Sequence, residues 1–456
     1  MRNGGLNPIP GSPIPAYSRA TTEAQAAVKN DEKEDRMIRR ARLLAIAFAL
    51  AVLAPVLVAA APVHINFWHI GTAATDKAFY QSVMDAYMKA HPDVIIDVTI
   101  LENEAFKSKL TTVMQAGTPP DVFHSWGGGV MAEYAKAGLL RDITSYVQGT
   151  DWGNSMAPGV WQVYQYNGRQ YGAPFDMGAI TFWYNKDLLA KVGYTSFPTN
   201  WDDFITLVKK LKNAGITPIA LGGGDKWPAM HMWSYIALRL GGGQLFQDTF
   251  TGKNAKGFTD PTFVKAGQML ADLAALKPFQ DGFLGATYND EAALVGNGGA
   301  AMELMGQWAP NVEKDSSTSK AGLGDKLATA PFPSIKGGMG KVTDVIGGGN
   351  GMAVGKNAPD AAVDFLRFLT NKDNNAHYAE VAGILATVKG ADYGIKDPNS
   401  KLVKAIVDKT TFFQLYLDQF LSPAAGGAVN DAVQHILAGT APADALAAFQ
   451  AVYAGK

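Results

Sequence analysis

The chain has 456 residues, 47% of them hydrophobic and 18% charged, which is the composition of a soluble globular protein long enough for two lobes. Its formal charge is −1, and beyond residue 60 the balance is 32 basic against 36 acidic residues, so no nucleic-acid footprint is present. The absence of cysteine excludes disulfides, thiolate metal sites, a cysteine nucleophile and a lipid-modified cysteine behind a leader.

Residues 1–36 read as a polar extension, or as sequence upstream of a true start at Met37. Arg36, Arg39, Arg40 and Arg42 precede an apolar run from Leu43 to Val58 that ends in Ala59-Ala60-Ala61. A basic entry, a run of that length and small residues at its end make residues 37–60 a secretory signal. Cleavage after Ala60 is the first reading and an uncleaved signal anchor the second; either exports the body of the protein.

After the signal, His64 to His69 reads as a strand, and Phe79, Val83, Tyr87 and Ala90 fall at helical spacing before Pro92. Val94 to Ile100 is rich in β-branched residues, Phe106, Leu110, Val113 and Met114 mark a helix, and Asp121-Val122-Phe123 is a short strand feeding Ser125-Trp126. Strand and helix alternate as in an α/β sheet. The segment from Tyr171 to Leu189 carries Pro174, a β-branched and aromatic run from Ile180 to Tyr184, and Asn185 as a helix cap. Asp176 and Met177 lie in it where the chain passes from one unit to another. A helix face formed by Trp201, Phe204, Ile205, Val208 and Leu211 follows Thr199-Asn200, either of which can cap it, and Ile216 to Leu221 reads as a strand. The interval between Pro331-Phe332-Pro333 and Gly347-Gly348-Gly349 is expected to be rich in strands, Asp360 to Leu369 helical, and the Ala-rich tail from about Asn430 helical.

The chemistry of enzymes finds little support. Gly355-Lys356 is the nearest approach to a phosphate loop, but Asn350 stands where the first glycine belongs and Asn357 follows the lysine. The seven histidines show no metal-ligand spacing, and no Gly-x-Ser-x-Gly elbow occurs. A carboxyl pair for glycoside cleavage would come from Asp176, Asp290, Glu291 and Glu303. Five aromatic-polar clusters are more informative: Trp68-His69, His124-Ser125-Trp126, Lys226-Trp227, His231-Met232-Trp233 and Gln307-Trp308. A sugar ring offers an apolar face to stack on an indole and a rim of hydroxyls for polar neighbours.

These residues carry a family resemblance. His91-Pro92-Asp93-Val94, Pro120-Asp121-Val122, Ala137 to Ile143, Tyr171 through Asp187, and Ala301 to Trp308 follow in the order seen in solute-binding proteins of carbohydrate ABC importers. The chain resembles that group, which includes maltodextrin- and xylo-oligosaccharide-binding proteins. The resemblance implies a two-lobed α/β periplasmic binding protein fold of type II that closes on its ligand as a hinge. It implies an N-lobe from residues 62–173 and 328–370, and a C-lobe from residues 174–327 and 371–456. It implies Trp126 and Trp308 as sugar-stacking residues, Trp68 and Trp227 as further ones, and Asp176 as an acidic ligand near the hinge. His69, Ser125 and Asn350 complete the candidate ligand-binding set. Met177-Gly178 stand where a maltodextrin binder would read valine and glutamate, which argues against that specificity. The expected protein is an exported monomer that needs no cofactor or metal, does no covalent chemistry, binds a carbohydrate and delivers it to permease transmembrane subunits. A secreted glycoside hydrolase and a binder of a non-sugar solute, such as a polyamine or iron, are the alternatives.

Overall fold

A computed structural model describes residues 33–46 and 61–455. Residues 33–46 form an exposed helix, whereas residues 1–32 and most of the expected signal run lie outside the described residues. Among the described residues no helix is long and apolar enough to cross a membrane.

From Pro62 onward the chain is one compact unit built on three sheets. The first lobe holds a five-stranded sheet. Its parallel strands β1 (Val63–His69), β2 (Val94–Ile100) and β3 (Val122–Ser125) are linked by helices Ala74–Ala90 and Asn103–Gln115. A small hairpin, β4 (Gln165–Tyr166) and β5 (Arg169–Gln170), precedes β6 (Gly172–Pro174). The order of the first sheet is β2-β1-β3-β13-β6, where β13 (Gly351–Val354) returns from far downstream and runs antiparallel to β3. Helix Ala74–Ala90 buries Phe79, Tyr80, Val83, Met84 and Tyr87 against this sheet, matching the expected apolar stripe except at exposed Ala90.

The second lobe holds β8 (Thr181–Asn185), β9 (Thr217–Ile219), β10 (Ala300–Met305) and β11 (Leu327–Ala330) in the order β11-β8-β10-β9. Asn185 caps the helix Lys186–Lys191 by accepting from Asp187 and Leu188 N–H groups, and Asn200, not Thr199, caps Trp201–Asn213. The 24-residue helix Trp227–Phe250 is buried on most sides, which explains why no amphipathic stripe is visible in its sequence.

A third sheet, β14-β7-β12-β15, joins the lobes: β7 (Asp176–Ala179), β12 (Val345–Gly348), β14 (Leu385–Ala386) and β15 (Phe413–Leu415). Strands β7 and β12 are antiparallel crossings, with Gly347 opposite Ala179 and Gly348 opposite Gly178. The Tyr171–Leu189 segment thus visits three sheets in succession, through β6, β7 and β8, with single residues Phe175 and Ile180 between them.

Three expectations need correction. The interval 331–344 is not strand-rich, because its carbonyls turn inward to buried Arg239, which donates to Phe332, Val342 and Asp344 oxygens. Residues 328–330 pair with β8 and so belong to the second lobe's sheet. Helix Lys372–Ala382 packs on the first lobe instead of the second: Tyr378 stacks on Phe175 at 5.0 Å and lies 4.5 Å from Phe79, and Asn375 donates to the Phe175 carbonyl.

Candidate functional site

A cleft opens between the two lobes, floored by the crossing strands. Its first-lobe wall carries Asp76 and Tyr80 from helix Ala74–Ala90, Lys107 from helix Asn103–Gln115, and His124 and Trp126 at the end of β3. Its second-lobe wall carries Trp227 and His231 one helical turn apart, Tyr288, Trp308, Tyr416 and Asp418. Asp176, Asn350 and Tyr378 close the floor.

At the floor, Asp176 opens β7 and Asn350 lies between β12 and β13, where both crossings enter the first lobe. The Asn350 backbone N–H donates to Asp176 Oδ1 at 3.0 Å and its side-chain amide donates to both carboxyl oxygens, at 3.2 and 2.9 Å. The Asn350 carbonyl in turn accepts from the Phe175 and Asp176 N–H groups. Asp176 is 2% exposed, and burial raises its pKa to about 6 against the lowering effect of the Asn350 hydrogen bonds. Asp76, to which Tyr378 donates at 3.0 Å, is likewise raised to about 6 by burial, with a smaller push from Asp315. Both carboxyls therefore stay mainly ionised at neutral pH and accept hydrogen bonds in a largely desolvated place.

Two glycines fix this floor. A Cβ on Gly349 would sit 2.2 Å from the Asp176 carbonyl oxygen, and one on Gly178 would sit 1.6 Å from Gln307 Oε1. The space that a side chain at position 178 would need is filled by Gln307, so a glutamate there has no room.

The walls are aromatic. Trp227 packs on Tyr288 at 5.1 Å and edge-on to His231 at 5.6 Å, while Trp308 meets Tyr416 edge-on at 6.1 Å. Opposite them, Trp126 meets His124 edge-on at 4.6 Å. Lys107 Nζ lies 5.5 Å from the Trp126 ring and 5.9 Å from the Trp227 ring, so one cation touches aromatic faces of both lobes, and Glu104 pairs with it at 2.9 Å. Across the mouth, Ala74 N–H donates to Asp315, Thr75 to Asn311 and Asn289 to Glu102 at 2.7, 2.8 and 3.2 Å, holding the lobes together. Burial lowers the pKa of His69, His124 and His231 to about 3, so all three rings are neutral at physiological pH.

Of the residues singled out from sequence, Trp126, Asp176, Trp227, Trp308 and Asn350 line this cleft. Trp68, His69 and Ser125 do not line it. Strand alternation turns Trp68 to the face of the sheet opposite Phe67, against the cluster of Phe106 and Leu110, where Lys109 lies 4.6 Å over its ring. His69 is buried behind the cleft, stacked on Tyr80 at 4.2 Å with Nδ1 accepting from Gly71, and Ser125 Oγ accepts from Gly127 N–H to shape the turn into Trp126. Asp290 forms a capping box with Thr287. Glu291 and Glu303 are buried beside Glu313, outside the residues that line the cleft. Asp76, Tyr80, Lys107, Tyr288, Tyr378, Tyr416 and Asp418 escaped sequence reasoning. Asp76 and Asp418 alone carried a local signal, each being an acid in the first turn of a helix that follows a strand. Among the described residues no cluster suits a metal ion.

Residues 71–376 match the family model of bacterial extracellular solute-binding proteins. An uncharacterized ABC transporter extracellular-binding protein of Pyrococcus horikoshii is 28% identical over 276 residues, 57% of this chain and 62% of that protein. A probable sugar-binding periplasmic protein of Mesorhizobium japonicum is 28% identical over 245 residues, 54% of this chain and 57% of that protein. The matches thus span less than two thirds of these relatives' lengths. A structure from work on xylan utilization by the thermophilic bacterium Caldanaerobius polysaccharolyticus superposes with a TM-score of 0.79 at 29% identity, covering 85% of this chain and 99% of that one. With two lobes, a crossing sheet and a cleft between them, the chain belongs to the bacterial extracellular solute-binding protein family.

Proposed function

We propose that this protein is the sugar-binding component of an ABC importer, taking a mono- or oligosaccharide between its lobes and presenting it to permease transmembrane subunits. The observation that carries the reading is the cleft itself: indole faces from both lobes look onto one space that also holds the Asp176 carboxylate in its floor and the Asp76 carboxylate in its wall. Trp126, Trp227 and Trp308 stack on apolar sugar faces, while Asp76, Asp176 and Asn350 accept from or donate to hydroxyls. Trp68, His69 and Ser125 act behind them as supports.

The name of the Mesorhizobium relative and the xylan context of the structural neighbour both support a carbohydrate ligand. The protein performs no covalent step; it works as an exported monomer, and closure reports occupancy because the ligand favours the closed state. Lacking cysteine, it is held at the membrane, if at all, by its uncleaved signal and not by a lipid. The Gln307-filled space beside Gly178 supports a specificity other than maltodextrin.

The test is a thermal-shift panel of mono- and oligosaccharides followed by calorimetry, since a ligand that binds only the folded state raises the melting temperature. Sugars that shift the transition with micromolar affinity, about −8 kcal/mol, are expected. A shift with a polyamine or metal and none with any sugar overturns the reading, and release of reducing ends from an oligosaccharide overturns the absence of catalysis.

A further inference from the structure

The second-lobe wall of the cleft holds a group of polar atoms without partners. His231 is 2% exposed, lines the cleft, and neither of its ring nitrogens has a hydrogen-bond partner within the protein. Trp227 Nε1, one helical turn earlier, is also unpartnered, whereas the Tyr288 hydroxyl interacts with Trp308. Buried polar groups are nearly always paired, so two neighbouring side chains left open on one wall mark a place where something else completes them. Their chemistry is specific. A neutral imidazole offers one N–H and one lone pair, an indole only a donor. That set matches a sugar hydroxyl, which donates once and accepts twice. It matches a cation poorly, because a cation has no lone pair to accept from the indole N–H.

We infer that His231, with Trp227 Nε1, forms a hydroxyl-reading subsite that determines which sugar this protein accepts. The inference rests on the sugar-binding reading and names the wall that sets specificity within it. His231 reads one ligand hydroxyl as donor and acceptor together, and a ligand that lacks that hydroxyl leaves the imidazole unpaired in a dry place, which is the costly case.

The experiment uses the sugar that gives the largest shift with the wild-type protein, together with its monodeoxy derivatives, measured by calorimetry. One derivative is expected to bind about tenfold or more weakly than the parent. In His231→Phe the parent sugar is expected to lose about the same factor while the discrimination against that derivative disappears, and His231→Gln, which keeps a donor and an acceptor, is expected to recover most of the affinity. Ligand-free melting temperatures of both variants separate lost binding from lost folding. If the wild type binds every monodeoxy derivative as tightly as the parent, or if His231→Phe binds the parent unchanged, the subsite is refuted while sugar binding stands. If no sugar binds the wild type at all, the sugar reading and this inference fall together.

Discussion

Glu291, Glu303 and Glu313 pack together in the second lobe, all buried, and burial raises the pKa of each, that of Glu291 to about 8 from an ordinary 4.5. Glu291 accepts from the Gly222 N–H at 2.6 Å, so a neutral Gln at that position keeps the acceptor. The sign follows from linkage: the fold holds a proton that the unfolded chain has released, so the group's contribution falls as pH rises from 4.5 to 8. For Glu291 alone that fall is about 3 kcal/mol between pH 5 and pH 8, an upper figure because the three carboxyls titrate together. The buried histidines act oppositely. Their pKa values near 3 make folding more favourable as pH rises from 3 to 6.5, so the wild-type curve alone mixes both effects. The difference between Glu291→Gln and wild type cancels the histidines. Urea unfolding at pH 5, 6, 7 and 8 should show the variant gaining up to about 3 kcal/mol over wild type across that range. A difference that stays flat from pH 5 to pH 8 refutes a protonated Glu291 in the folded state.

Trp126→Ala is expected to weaken sugar binding by about 1–2 kcal/mol, about 5- to 30-fold in affinity by calorimetry, because it removes one stacking face from the cleft. Sugar affinity should be constant above pH 7 and decline below about 6, where Asp76 and Asp176 take up protons and lose acceptor capacity; Asp176→Asn should flatten part of that decline. Gly349→Ala, whose Cβ would meet the Asp176 carbonyl at 2.2 Å, is expected to cost about 3 kcal/mol of stability by calorimetric unfolding. Gly178→Ala displaces only the flexible end of Gln307, and its cost should be smaller, about 1 kcal/mol.

Local chemistry was legible wherever the cause lies within a few residues. Asn185 and Asn200 announce their helices because a short amide satisfies orphan N–H groups at the first turn, and the Asp360–Leu369 stripe buries the Val363, Phe365, Leu366 and Leu369 that its spacing marks. The crossing sheet was not legible, because its strands are only two to four residues long and β7 pairs with partners that lie more than 160 residues away. A strand so short has no period to detect, and its glycines, such as Gly178 and Gly349, are dictated by what approaches them from elsewhere. The tryptophans expose the same boundary at the site. His231-Met232-Trp233 looked like one aromatic-polar unit, yet the helix turns His231 to the cleft and Trp233 to the core, where its indole donates to the Phe263 carbonyl. An indole is at home on either side, since both offer apolar contact; its N–H is what tells them apart. Trp233 and Trp183 have carbonyl partners and belong to the core, while Trp227 has none and faces the cleft. For these three rings the partnering of the indole N–H tells core from cleft, and it is a property of the fold that no window of sequence contains.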